Sequence, residues 1–213
     1  MLDLPALVHA HRIIAILRGV PLQHAVRLTE HLHRAGIRLL EVALSDRHGL
    51  DVLRELDRQF GPELVLGAGT VITPELAAQA QAAGARFLLT PHVVPEVNAY
   101  AVQHGLGLIS GAMTPTEIQQ ALAQGSRPVK LFPAGDLGPG YLRSLLGPYP
   151  DLQVVVVGNI TTANLPEFVR AGAVGAGIGS HLTHTDWNAP DFATLEHRAR
   201  TLLAQFGSPE DRA

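Results

Sequence analysis

Short apolar runs alternate with longer segments of helical periodicity along the whole chain. Apolar runs of this kind, bounded by turn-forming residues, are typical of strands that are buried on both faces. They predict eight strands, at residues 13–17, 39–44, 64–67, 87–90, 107–109, 129–132, 153–157 and 176–178. The amphipathic segments predict helices at residues 23–35, 50–59, 74–83, 95–104, 114–124, 141–146, 164–171 and about 192–206. A further helical stretch, at residues 4–11, precedes the first strand.

This alternation continues without a linker or a break in composition, which indicates one domain over residues 1–213. Eight strand–helix units in a row favour an α/β fold of the (β/α)₈ type, the TIM barrel, over a doubly wound sheet. The helix at residues 4–11 is predicted to cap the barrel floor, and residues from about 207 to 213 are predicted to form a loose tail. In such barrels the chemistry lies at the carboxyl ends of the strands.

Composition narrows the classes of partner and the compartment. The formal net charge is −3 with neutral histidines, so we expect no binding to nucleic acid or to an anionic membrane. The absence of cysteine excludes disulfides and thiolate chemistry and is typical of a cytoplasmic protein. The chain shows no signal peptide pattern and no apolar stretch of roughly 18 residues that would predict a membrane span.

The chain contains a single lysine, Lys130, within the sixth predicted strand, whereas its other fifteen basic residues are arginines. A lysine in a dry pocket can lose its proton, but an arginine cannot. A reaction that needs a neutral amine would therefore require lysine at this one position. The alternative is that Lys130 has been retained by chance and has no chemical role, with its aliphatic chain buried and its ammonium group in solvent.

Strand alternation places Glu41, in the second predicted strand, and Lys130 on the inward faces of their strands. Both strands are even-numbered and lie across the barrel from each other, so the two side chains are predicted to meet near the axis. A neutral lysine can attack a ketone to form a Schiff base, and a carboxylate beside it can move the protons. This chemistry needs no metal. The alternative is a buried ion pair that only stabilises the core.

The loops after the last two predicted strands contain Gly158 and Asn159, and Gly179 and Ser180. Loops at these places in TIM barrels often bind phosphate through backbone N–H groups and the start of a short helix, which Ser180 is expected to cap. We therefore predict a phosphate site, with plain turns as the alternative.

Other candidates at the barrel mouth are less distinctive. Arg18 directly follows the first strand, and Thr70 ends a stretch of small residues that could place a donor at a carboxylate. The alternative for Arg18 is a surface ion pair, and the alternative for the small residues before Thr70 is tight packing against the neighbouring strand. The 11 histidines include no predicted metal site, because His181 and His184 lack an obvious third ligand.

Taken together, the motifs resemble the class I 2-keto-3-deoxy-6-phosphogluconate and 2-keto-3-deoxy-6-phosphogalactonate aldolases, with the phosphogalactonate branch closer. The stretches that carry the resemblance are 14–19, 40–42, 67–71, 90–91, 130–133, 157–158 and 177–180. The resemblance implies a TIM barrel without a cofactor, usually a homotrimer. It also implies reversible cleavage of a phosphorylated 2-keto-3-deoxy acid into pyruvate and glyceraldehyde 3-phosphate.

The resemblance also implies a role for each matching residue. Lys130 would form the Schiff base and Glu41 would shuttle protons. The remaining residues would bind substrate: Thr70 at the keto-acid carboxylate, Arg18 as a further contact, Pro91 and Phe132 as the wall around the imine, and Gly158, Gly179 and Ser180 at the phosphate.

Four residues depart from the family pattern: Ser45, Ser110, Val157 and Asn159. The family tends to have arginine or asparagine in place of Ser45, proline in place of Ser110 and glycine in place of Asn159. Val157 is typical of the galactonate-like branch. Asparagine tolerates a left-handed backbone, so the turn at Asn159 is expected to survive. These departures affect substrate contacts and leave Lys130 and Glu41 in place.

Three alternative functions stay open on the sequence. The first is an aldolase for a non-phosphorylated acid of the 4-hydroxy-2-oxoglutarate type. The second is a phosphosugar epimerase or isomerase, since those barrels use similar phosphate loops. The third is a barrel that binds phosphosugars without turnover.

Overall fold

The computed structural model describes residues 2–207, where nine parallel strand segments form one curled sheet. Apart from Gly207, the predicted loose tail lies outside the described residues. The strands are β1 Ile13–Leu17, β2 Leu39–Ala43, β3 Val65–Gly69, β4 Phe87–Leu89, β5 Gly107–Ile109, β6 Gly111–Ala112, β7 Val129–Leu131, β8 Val154–Val157 and β9 Gly175–Ile178.

The two ends of this sheet are joined by the chain itself. The strand order runs from β5 through β4, β3, β2, β1, β9, β8 and β7 to β6, and only Ser110 separates β5 from β6. One broken strand therefore pairs with β4 before Ser110 and with β7 after it. The predicted (β/α)₈ barrel is confirmed, but its fifth strand continues beyond the predicted residues 107–109.

Helices surround the barrel. They are α1 Leu4–His11, α2 Leu22–Ala35, α3 Gly49–Phe60, α4 Pro74–Ala82, α5 Pro95–Gln103, α6 Pro115–Ala123, α7 Ala134–Leu137, α8 Pro139–Leu146, α9 Leu165–Arg170, α10 Ser180–Thr183 and α11 Phe192–Ala204. The short helix α10 was expected at Ser180, whereas the short helix α7 was not predicted. Gly138, at φ 79°, ends α7, and Pro139 then begins α8. The two helices α7 and α8 therefore stand where one helix was predicted, at residues 141–146.

The strands alternate as predicted between two apolar layers. Leu40 and Val42 belong to the large cluster between the sheet and the helices, whereas Leu39 lies in the smaller cluster inside the barrel. Glu41 is buried and lines the cavity at the barrel's carboxyl end, together with Lys130. Strand alternation thus places the two ionisable groups inside the barrel.

The helix α1 closes the opposite end of the barrel. Its Leu4 and Val8 are fully buried in the inner cluster, in which Phe87 also lies. Gly107 allows this close approach, because a Cβ there would lie 2.8 Å from Leu4 Cδ2 and 2.9 Å from Phe87 Cβ. Leu4–His11 therefore acts as the predicted floor.

In the part of the chain that the structure describes, no helix is long and apolar enough to cross a bilayer.

Candidate active site

A cavity of about 520 Å³ opens at the carboxyl ends of the strands. All the residues that the sequence singled out as catalytic or substrate-binding line it: Arg18, Glu41, Thr70, Pro91, Lys130, Phe132, Gly158, Asn159, Gly179 and Ser180. A cavity of this size accommodates a small metabolite.

Lys130, in the middle of β7, is 6% exposed. Its Nζ lies 5.0 Å from the centre of the Phe132 ring. Burial lowers the pKa of Lys130, and the positive charge of Arg18 adds to this effect, whereas Glu41 opposes it. The site therefore favours the neutral, nucleophilic amine more than water does.

Glu41, in β2, is 1% exposed, and burial raises its pKa against the opposing effects of Lys130 and Arg18. Among the described residues, Oε2 of Glu41 has no hydrogen-bond partner. Gly69 makes room for the carboxyl group, since a Cβ there would lie 1.6 Å from Glu41 Oε1. A buried carboxyl group with an unused oxygen, at a cavity wall, is suited to exchanging protons with a ligand.

Within residues 2–207, no ion pair joins Glu41 to Lys130, although each affects the pKa of the other. The alternative of a purely structural ion pair therefore finds no support in the geometry.

The backbone of Lys130 rests on a buried polar network around Ser110. The Lys130 N–H donates to the Ser110 carbonyl at 2.9 Å. The Ser110 N–H donates to Ser126 Oγ at 2.7 Å, and its hydroxyl donates to Asn98 Oδ1 at 2.9 Å. All three network side chains are fully buried. The network holds the point where the fifth strand changes partners, next to the lysine.

Replacing Ser110 by proline, the residue common in the family, is expected to destabilise this protein by about 1–3 kcal/mol. The change removes both the N–H and the hydroxyl, and so leaves Ser126 and Asn98 short of a partner. Denaturant unfolding would measure the loss. The control Ser110→Ala keeps the N–H and should lose less; equal stability of Ser110→Pro and wild type would contradict the role of the network.

Arg18 lies just beyond β1 and is held by two hydroxyl groups. Its Nη1 donates to Ser45 Oγ at 2.5 Å, and its Nη2 donates to Thr70 Oγ1 at 3.1 Å. Ser45, one of the four departures from the family pattern, thus contacts a cavity residue.

The two predicted phosphate loops both border the cavity. Gly158 and Asn159 have φ values of 95° and 53°, so the left-handed turn predicted for Asn159 is present. The Asn159 amide donates to both carboxylate oxygens of Asp136, at 2.9 and 3.2 Å. Contrary to prediction, Ser180 is the first residue of α10 and Gly179 occupies the cap position.

Some residues that line the cavity were not predicted from the sequence, among them Thr161, Thr183, His184 and Trp187. Trp187 stacks on His24, with ring centroids 5.5 Å apart, which ties the loop after α10 to α2. A signal was available, because Trp187 is the only tryptophan in the chain. In residues 2–207, no cluster of three or more His, Cys, Asp or Glu side chains could hold a metal ion.

The sequence profile of the KDPG and KHG aldolases matches residues 5–197. The chain belongs to the KDPG and KHG aldolase family. It is therefore an aldolase, a carbon–carbon lyase.

Two curated relatives are similar to this aldolase over most of their length. The 2-dehydro-3-deoxy-6-phosphogalactonate aldolase of Escherichia coli K12 is 33% identical over 171 residues, which are 80% of this chain and 83% of the relative. The 2-dehydro-3-deoxy-phosphogluconate aldolase of Treponema pallidum is 39% identical over 170 residues, which are 79% of this chain and 80% of the relative.

A solved structure from Legionella pneumophila is similar in both sequence and fold. It is a KDPG aldolase with pyruvate captured at low pH as a covalent carbinolamine intermediate. It shares 29% identity with this aldolase at a TM-score of 0.78, and the match covers 95% of this chain and 96% of that one.

Proposed function

We propose that this aldolase reversibly cleaves a 2-keto-3-deoxy-6-phospho sugar acid into pyruvate and glyceraldehyde 3-phosphate through a Schiff base on Lys130. The observation that carries the proposal is the buried amine of Lys130, whose pKa is lowered, in one cavity with Glu41, whose pKa is raised. The names of the relatives and the carbinolamine in the Legionella pneumophila structure support the substrate class and the covalent step.

The reaction begins when the neutral Nζ of Lys130 attacks the C2 carbonyl carbon of the keto acid. The former carbonyl oxygen takes up a proton and the nitrogen loses one, which gives a neutral carbinolamine. A second proton on that oxygen then allows it to leave as water, which forms the protonated imine. This cation withdraws electrons from the substrate. The bond between C3 and C4 then breaks as the C4 hydroxyl loses its proton, and the aldehyde departs. The remaining enamine takes a proton at C3, and water hydrolyses the resulting imine to pyruvate and free Lys130.

Glu41 is the group assigned to these proton transfers. A general acid–base works best when its pKa lies near the operating pH, and burial raises the pKa of Glu41 in that direction. Its unpartnered Oε2 is available to water, the carbinolamine or the C4 hydroxyl in turn.

The substrate is held at its two charged ends. Arg18 and Thr70 are assigned to the keto-acid carboxylate, and Pro91 and Phe132 to the wall around the imine. The backbone around Gly158, Asn159, Gly179 and Ser180 is assigned to the phosphate, because the first N–H groups of α10 have no partner within the helix.

The phosphate assignment predicts a preference of about 10²-fold or more in kcat/KM for the phosphorylated acid over its non-phosphorylated analogue. Pyruvate release, coupled to lactate dehydrogenase, would measure both substrates and 4-hydroxy-2-oxoglutarate. Ser180→Ala should reduce kcat/KM for the phosphorylated acid alone. Equal rates for the phosphorylated and non-phosphorylated acids would instead favour a 4-hydroxy-2-oxoglutarate aldolase. The same assay on the gluconate and galactonate stereoisomers would identify the preferred sugar acid.

We also propose that residues 1–213 form one domain, and that the enzyme is a homotrimer of the cytoplasm. The unbroken strand–helix alternation supports the first point and the family resemblance supports the second. Light scattering coupled to size exclusion would measure the mass of the assembly.

A further inference from the structure

The hydrogen bonds of Arg18 differ from those of an ordinary surface arginine, because its guanidinium group donates to two hydroxyl groups. Within the described residues, Arg18 forms no ion pair with a carboxylate. The nearby Asp46 instead accepts a hydrogen bond from the Gly19 N–H at 2.5 Å. Hydroxyl partners fix the guanidinium without neutralising it. Its full positive charge therefore remains available at the cavity.

The charge of Arg18 reaches the interior of the barrel. It lowers the pKa of Glu41 and also that of Lys130, so its position matters for both groups. A guanidinium has five N–H donors in a rigid, planar arrangement. Ser45 and Thr70 use one nitrogen each, Nη1 and Nη2, and set the plane of the group. The orientation of the remaining donors depends on both hydroxyls.

Thr70 adds an independent sign that this arrangement is functional. Its φ of 60° lies in the left-handed region, which is unfavourable for a β-branched residue. Such strained residues cluster at ligand sites. Here the strained residue lines the cavity and accepts a hydrogen bond from Arg18.

Ser45, in contrast, does not line this cavity, and it is exposed in the loop after β2. It borders the neighbouring groove with Asp46 and Arg47. We therefore expect its hydroxyl to act on the substrate through Arg18, to which it is hydrogen-bonded.

We propose that Ser45 is a positioning residue that, together with Thr70, holds Arg18 in the orientation in which its free N–H groups bind the carboxylate of the keto acid. This inference rests on the proposed function, because it assumes a keto acid bonded to Lys130.

The first test measures pyruvate alone, since pyruvate carries the carboxylate but no phosphate. Borohydride trapping on Lys130, followed by mass spectrometry at increasing pyruvate concentration, gives a half-saturating concentration. We expect Ser45→Ala to raise it about three- to tenfold, the value of one hydrogen bond, and Ser45→Thr to restore it. The matched control Ser144→Ala removes an exposed hydroxyl on α8, which donates to the Gly140 carbonyl, and should leave it unchanged.

The second test asks whether Ser45 acts through Arg18. In steady-state kinetics, Ser45→Ala should raise KM with kcat within about twofold, and it should have no further effect when Arg18 is already alanine. An unchanged half-saturating pyruvate concentration in Ser45→Ala, or an equal effect of Ser45→Ala with and without Arg18, would overturn the inference. Failure of the wild type to trap pyruvate would overturn the proposed function itself, so the two failures are distinguishable.

Discussion

Lys130→Arg is expected to lower kcat for pyruvate release by at least about 10³-fold, because arginine keeps its proton and cannot form an imine. The matching experiment on the wild type is reduction with borohydride in the presence of pyruvate. A covalent adduct should appear on Lys130, and Lys130 is the only lysine in the chain. Peptide mass spectrometry can therefore assign an adduct on a lysine side chain to Lys130.

Two outcomes would contradict this assignment. Activity that survives Lys130→Arg would favour the epimerase or isomerase alternative, whose phosphate loops do not depend on an amine. Binding of phosphosugars without pyruvate release by the wild type would favour a barrel without turnover. Lys130→Met serves as the control for folding, because it keeps a similar apolar stem in the buried position; its circular dichroism should match the wild type.

Glu41→Gln is expected to lower kcat about 10²- to 10⁴-fold while leaving the lysine able to react. The amide keeps the shape of the side chain but cannot move protons. Loss of the negative charge also removes the interaction that raises the pKa of Lys130, so the pKa of Lys130 should fall further. Slow trapping of pyruvate on Lys130 in this variant, at near-normal final yield, would separate the two roles. An unchanged kcat would exclude Glu41 as the proton carrier.

The same variant makes a prediction about stability. Burial raises the pKa of Glu41 above 4.5, so the folded state holds this proton more tightly than the unfolded state does. The resulting contribution to the free energy of unfolding is fully present below the pKa that Glu41 has in the unfolded state. It is lost as the pH rises through the pKa of Glu41 in the folded state. Glu41→Gln should therefore melt higher than the wild type at neutral pH, with the difference shrinking towards pH 4. A constant difference across this range would contradict the raised pKa.

The sequence predicted that Glu41 and Lys130 would face one cavity, because strand periodicity determines which side chains point inward. Strand alternation alone places Glu41 and Lys130 on inward faces, and counting strands places them across the barrel from each other. The left-handed turn at Asn159 was predictable for a similar reason, since the local residue type determines which backbone conformations are tolerated.

The supporting contacts were not predictable, because they join residues that are far apart in the chain. The hydrogen bond between Arg18 and Ser45 spans 27 positions, and the bond between Ser110 and Ser126 spans 16. No local pattern indicates that Ser110 would break the fifth strand. Trp187 lines the cavity and stacks on His24, which lies on a distant helix. Such details depend on the assembled barrel.

The floor formed by α1 has a kinetic consequence. Leu4 and Val8 close the barrel behind Lys130, so the cavity has its opening at the carboxyl ends of the strands. In the proposed reaction, the pyruvyl group stays bonded to Lys130 until the bond between C3 and C4 has broken. The aldehyde therefore departs first, and in the condensation direction pyruvate must enter before it. Because the eight-residue helix α1 closes the far end of the barrel, both products are expected to leave one after the other through this same opening.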